Sequence, residues 1–227
     1  MTDEQTLSQR MDIIRKLVDT HACKPVTIVA ASKTRSALEI NRLFDLGICD
    51  YGENRVQEWQ EKRDAIREDM RFHMIGQLQS NKVAAIAADV ALVHSLDRPS
   101  LAQALDRAGQ RRERPIDALI EVSVAGEAQK GGVPLAELDE CIRAWQQLPG
   151  VRLRGMMIIA PMLGGDVARS VFAQGRALWQ PYAQRYEAFD ILSMGMSGDL
   201  IEALEEGTSM IRVGSALFGS RKTEHKQ

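Results

Sequence analysis

The sequence predicts an α/β fold: a (β/α)8 barrel of the TIM type, forming a single domain over residues 1–227, with an extra helix ahead of the first strand. Three observations carry that prediction. Short apolar, β-rich runs alternate with amphipathic stretches along the chain; eight such runs can be counted; and no Pro/Ser/Gly linker or shift in composition divides them. An open doubly wound sheet stops at about five or six strands, so eight strands joined by short connections favour closure.

The amphipathic stretch at residues 4–18 makes the leading helix. Residues 27–32 give the first strand and 37–46 its helix; 49–52 and 56–69 form the second unit, 72–75 and 81–87 the third. The fourth to seventh pairs are 90–94 with 100–110, 118–124 with 135–147, 153–159 with 166–185, and 191–194 with 199–206. Residues 210–213 supply the eighth strand. The longest turn-rich stretches, 125–134 and 161–166, follow strands five and six and so fall at the C-terminal face, where βα loops build sites.

Composition narrows the function. Hydrophobic residues are 44% and charged residues 26%, the balance of a chain that buries a sizeable core. With 29 Lys plus Arg against 31 Asp plus Glu, the net charge of -2 gives no general pull toward nucleic acid or anionic membrane, so neither is expected as a partner. The densest basic cluster, Arg111, Arg112 and Arg114, contains Glu113 and precedes Pro115, which reads as a solvated helix end. Cys23, Cys49 and Cys141 are odd in number and form no CxxC pair; neither a disulfide framework nor a zinc site is signalled. A reducing cytoplasm fits, and the N-terminus lacks a signal-peptide apolar block. HExxH, DxDxDG, GxGxxG and GxxxxGK[ST] patterns are missing, so no metal or nucleotide site is expected, and Met156, Met157, Met162, Met194 and Met196 read as core filling.

Chemistry concentrates at strand ends. The first strand closes on Ala30-Ala31-Ser32-Lys33-Thr34, which puts a lysine at the mouth of an apolar strand. Desolvation or a cationic neighbour there would favour the neutral amine that a Schiff base requires; the alternative is a lysine that simply snorkels into solvent. Ser193-Met194-Gly195-Met196-Ser197-Gly198 follows strand seven and Arg212-Val213-Gly214-Ser215-Ala216 follows strand eight. Loops in those two places recurrently cradle phosphate, with glycines admitting the anion, serines supplying hydroxyls and a helix starting near Gly198. Turn and cap chemistry alone would also account for these residues singly. Arg212, at the mouth of strand eight, needs an acceptor: either a ligand or an internal carboxylate such as Glu53 or Glu121. Asn54 and His73 are further polar groups at strand ends, and a lone His is more often a satisfied core residue than a catalyst.

The motifs Val29-Ala30-Ala31-Ser32-Lys33-Thr34, Tyr51-Gly52-Glu53-Asn54, His73-Met74-Ile75-Gly76-Gln77-Leu78-Gln79-Ser80-Asn81-Lys82, Gly155-Met156-Met157, Ser193 to Ser197, and Arg212 to Gly219 together resemble the pyridoxal phosphate homeostasis protein family. That family is related to the N-terminal barrel of alanine racemase, and the resemblance spans nearly the whole chain. It implies pyridoxal 5'-phosphate (PLP) held as a Schiff base on Lys33, with Ser197, Gly214 and Ser215 on its phosphate. Arg212 would face the pyridine nitrogen, and Asn54, His73 and Met196 would line the cofactor. A guanidinium there would leave that nitrogen unprotonated and restrain carbanion chemistry. The implied role is intracellular PLP homeostasis, with PLP-dependent apo-enzymes as candidate recipients and no assigned catalytic residue; a monomer is expected on the separate ground that the sequence identifies no exposed apolar patch. Gln77, Arg55 and Gly198 depart from the family's usual proline, tyrosine and acidic residue.

Two other functions are weighed against it. A PLP-dependent amino-acid racemase would need a second base opposite Lys33, which racemases take from a tyrosine of an added C-terminal domain. The only phenols here are Tyr51, Tyr182 and Tyr186, the latter two on an expected outer helix, and the chain ends soon after strand eight. A barrel binding another small phosphate ester, with Lys33 as counter-ion, is the plainer reading.

Overall fold

The computed structural model describes residues 3–124 and 131–219, so residues 125–130 of the expected mouth loop lie outside the described residues. Eight parallel strands close on themselves: β1 (Thr27–Ala31), β2 (Asp50–Glu53), β3 (Arg71–Met74), β4 (Val90–Leu96), β5 (Ile116–Ser123), β6 (Val151–Ile158), β7 (Ile191–Ser193) and β8 (Met210–Val213). Each pairs with the next, and β8 returns to β1 through the register Thr27 to Met210 and Ala30 to Val213. A two-residue strand, Val133–Pro134, adds to the end of β5. Every strand begins and ends within two residues of its expected position.

Strand alternation sorts the side chains. Val29, Leu92, Leu119, Met157 and Met210 form one buried cluster, flanked by Ile75 and Ile191. Neighbouring positions such as Phe72, Met74, Val93, Ile120, Met156 and Ile158 pack in a larger cluster with helix residues, among them Trp59, Leu101, Ile142 and Phe172. The seam between β6 and β7 depends on Gly155: a Cβ there would lie 1.7 Å from the Ile191 carbonyl oxygen, and its φ of +143° suits glycine.

Helix α1 (Asp3–His21) precedes the barrel, and its buried Leu7, Met11 and Ile14, at helical spacing, join Leu43, Leu204, Ile211 and Leu217 in a separate core. The outer helices α2 (Ala37–Asp45), α3 (Val56–Gln60), α4 (Val83–Ile86), α5 (Pro99–Arg111), α6 (Leu138–Trp145), α7 (Gly165–Arg185), α8 (Leu200–Glu205) and α9 (Ser215–Phe218) follow. Ser36 and Glu39 close a reciprocal capping box on α2, which fixes where that helix starts after the β1 turn.

Helix α3 departs most from expectation, ending at Gln60 rather than residue 69. Asn41 captures the backbone beyond it, donating to the Ala65 carbonyl at 2.9 Å and accepting from the Arg67 N–H at 3.0 Å. Those bonds compete with a helical ladder across a stretch whose sole large aliphatic side chain is Ile66. Arg112 also differs from a solvated helix end: it stitches to the carbonyls of Ala87, Arg114 and Pro115. No helix of the described residues is long and apolar enough to cross a membrane.

Candidate functional site

β1 runs into a four-residue turn, Ser32-Lys33-Thr34-Arg35, closed by the Arg35 N–H on the Ser32 carbonyl at 2.9 Å. Thr34 takes a φ of +64°, unusual for a β-branched residue, so the turn holds a strained third position. Lys33 is exposed at its tip. The desolvation expected of it is therefore absent, because the strand ends two residues earlier and leaves the lysine above the apolar layers rather than among them. No hydrogen bond or ion pair with another described residue occupies its ammonium.

The neighbouring strand end, after β8, faces the same turn. Gly214 packs against Ala31, where an added Cβ would meet the Ala31 carbonyl oxygen at 3.4 Å. Ser197, half-buried in the loop after β7, accepts from the backbone N–H of Gly214 at 3.2 Å and of Ala216 at 3.1 Å. One hydroxyl thus gathers two backbone donors at the start of α9. Ser215 is exposed on that helix and Met196 is half-buried beside Ser197. The helix expected from residue 199 begins at Leu200, and ahead of it Asp199 turns its carboxylate back to accept the Met196 N–H at 2.6 Å. Burial raises the Asp199 pKa against that hydrogen bond.

Deeper in the barrel Arg212 is buried, yet no carboxylate of the described residues pairs with it within ion-pair distance. Its guanidinium donates to the Ser193 hydroxyl at 2.6 Å and to the carbonyls of Ser193 and Ile158 at 3.1 Å. Glu53, one alternative partner, lies elsewhere: it accepts from Lys62 at 2.7 Å and from the Ser32 hydroxyl at 2.5 Å. Burial brings the Arg212 pKa down to about 10, opposed by the charges of Asp199 and Glu121, so the group stays cationic at neutral pH.

A file of polar groups continues inward from Arg212. Ser193 Oγ lies 3.5 Å from His94 Nδ1, His94 Nε2 lies 3.0 Å from His73 Nδ1, and His73 Nε2 lies 2.9 Å from Asp50. Asp50 also receives a two-pronged Arg71. Burial opposes its ionisation, but the hydrogen bonds from Arg71 and His73 outweigh it and hold the carboxyl at about 2. The ionised carboxylate accepts a hydrogen bond from a proton held on His73 Nε2. Burial keeps His94 well below the ordinary histidine range, so that ring is neutral.

Four ordered comparisons place the chain. Residues 2–222 match the family model described as "Alanine racemase, N-terminal domain". A pyridoxal phosphate homeostasis protein of Aquifex aeolicus is 40% identical over 198 residues, 86% of this chain and 87% of that one. The protein of that name from Escherichia coli strain K12 is 36% identical over 208 residues, 88% of each. The chain belongs to the pyridoxal phosphate homeostasis protein family. Among solved structures, PipY of Synechococcus elongatus with PLP bound superposes with a TM-score of 0.80 at 33% identity, covering 94% of this chain and all of PipY.

Within this family member, Lys33, Asn54, Ser197, Gly214 and Ser215 sit at the C-terminal ends of their strands, whereas His73 and Arg212 lie below them inside the barrel. Both ring nitrogens of His73 are committed to protein partners. Asn54 is half-buried, its backbone so close to Gly76 that a Cβ there would come within 2.4 Å of the Asn54 carbonyl oxygen. Sequence reasoning missed Asp50 as an interior group; Glu121, expected as a possible internal carboxylate, is buried but forms no ion pair with Arg212. Gln77, a departure from the family pattern, donates to Glu121 at 2.6 Å. Burial first, then the neighbouring Asp97 charge, push Glu121 up to about 7 against Arg212, Gln77 and Arg98.

Proposed function

We propose that this protein binds PLP covalently through Lys33 and acts in PLP homeostasis. One observation carries the reading: an exposed lysine and a pair of backbone N–H groups drawn onto Ser197 stand on adjoining strand ends, β1 and β8. An amine and an anion cradle side by side are what an aldehyde with a phosphate tail requires. PLP bound in PipY, at 33% identity, supports the same assignment.

The residues present fit the group. Ser197, with the N–H groups of Gly214 and Ala216 and the exposed Ser215, would hold the phosphate. Of the five N–H donors of Arg212, three hydrogen bonds to the protein leave others for a ring-nitrogen acceptor. Asn54 and Met196 would flank the ring, and His73 would support from below through His94. The cofactor supplies an electrophilic carbon and, when its ring nitrogen is protonated, an electron sink. A guanidinium at that nitrogen holds its own proton and keeps the sink weak, which suits storage and transfer over turnover.

Racemisation would need a second base across from Lys33. Tyr51 is buried against Phe72, with its pKa raised by burial, and Tyr182 and Tyr186 belong to the outer cluster around α7. No phenol of the described residues faces the mouth. We extend the reading to a cytoplasmic monomer that passes PLP to apo-enzymes.

Incubation with PLP, borohydride reduction and peptide mapping tests the site: the label is expected on Lys33 and vanishes in Lys33→Ala. A label on Lys82 instead, or none, overturns it. Racemisation of single-enantiomer amino acids at enzyme-like rates would establish the alternative activity.

A further inference from the structure

Behind the Lys33 turn, on the side away from the phosphate cradle, lies a polar cluster that neither ligand nor solvent explains. Lys62 is nearly buried, and its ammonium donates to the Ser32 carbonyl at 3.3 Å, to the Arg35 carbonyl at 2.9 Å and to Glu53 at 2.7 Å. Those two carbonyls are the ends of the Ser32-Lys33-Thr34-Arg35 turn. Glu53 in turn accepts from the Ser32 hydroxyl. Both termini of the turn are therefore tied to one ammonium, and the Ser32 end to one carboxylate as well.

A second carboxyl completes the cluster. Glu53 Oε2 and Glu58 Oε2 are both buried without a hydrogen-bond partner, although the Glu58 carboxyl is in hydrogen-bonding contact with Glu53. Two carboxylates facing each other would leave both oxygens unsatisfied and give one ammonium two negative charges to balance. A single proton between them satisfies both oxygens and makes the cluster neutral. Burial, with Glu58 as a further cause, raises the Glu53 pKa in the direction that sharing requires, against Lys62 and Ser32.

We propose that Lys62, Glu53 and Glu58, with one proton bridging the two carboxyls, form a clamp that holds the strained Lys33 turn and so aims the lysine amine at the cofactor. The left-handed Thr34 would relax if the turn were free, and relaxation would swing Lys33 away from Ser197 and Gly214. These are positioning residues: none needs to touch PLP. The proposal rests on Lys33 as the PLP-bearing lysine for its purpose, but the clamp itself is measurable without cofactor.

Hydrogen exchange of the Arg35 amide, whose bond to Ser32 closes the turn, reports the clamp in cofactor-free protein. Lys62→Met and Glu58→Ala are expected to speed that exchange at least about tenfold, the scale of a lost charge-assisted hydrogen bond. Glu58→Gln, whose amide donates to Glu53 without a shared proton, should restore nearly wild-type protection. PLP labelling of Lys33 should slow in the same order. Unchanged Arg35 protection in Lys62→Met, or Glu58→Gln behaving like Glu58→Ala, overturns the clamp. A wild-type label away from Lys33 overturns the cofactor reading and the clamp's purpose, while amide exchange still decides whether the clamp exists.

Discussion

The Arg212 guanidinium donates to the Ser193 hydroxyl at 2.6 Å inside the barrel, and it is held there by neutral oxygens instead of a carboxylate. Removing it strands the Ser193 and Ile158 carbonyls in a buried space. Arg212→Met is expected to destabilise the cofactor-free protein by about 3 kcal/mol, read from urea unfolding. A loss below about 0.5 kcal/mol, within the range of ordinary surface changes, would mean the site repacks without it.

Ser197 gathers the Gly214 and Ala216 N–H groups through one hydroxyl. In Ser197→Ala, PLP binding should weaken about tenfold, the scale of one charge-assisted hydrogen bond. Pyridoxal, which lacks the phosphate, should bind as before. Absorbance titrations with both ligands separate the cases, and equal weakening of the two would take Ser197 out of the phosphate site.

Glu121 keeps its proton up to about pH 7 in the folded protein, whereas the unfolded chain sheds it in the ordinary carboxylate range. Stability accordingly falls as pH rises between those points and levels off above pH 7, a span worth about 3 kcal/mol. Glu121→Gln should flatten that slope. Urea midpoints measured across the window check it, and an unchanged slope would place the titration elsewhere.

Asp50 behaves in the opposite sense. Its folded pKa of about 2 lies below the unfolded value, so its contribution is present above the unfolded carboxylate range and is lost as pH falls toward 2. Asp50→Asn should cost about 2 kcal/mol at neutral pH and much less near pH 2. Equal losses at both ends would assign the effect to packing instead.

The strands were readable because their apolar runs are bounded by turn residues, and Lys33, Ser197, Gly214 and Ser215 because chemistry at strand ends stands out against apolar neighbours. Asp50 and His94 were not readable in the same way. Each occupies a strand position that, on an ordinary half-exposed sheet, would put a polar side chain in water; closure of the sheet turns it inward. The shortening of α3 depended on Asn41, a residue of α2, reaching residues 65 and 67. Lys33 illustrates the remaining difference: its place at the strand end was legible, but its exposure depended on the strand ending two residues earlier, at Ala31.

The file from Arg212 to Asp50 has a consequence for electrostatics at the mouth. A cation at one end and an anion at the other share a single line of buried polar contacts. In so dry an interior such a line is weakly screened, so the barrel floor and its rim register each other's charge.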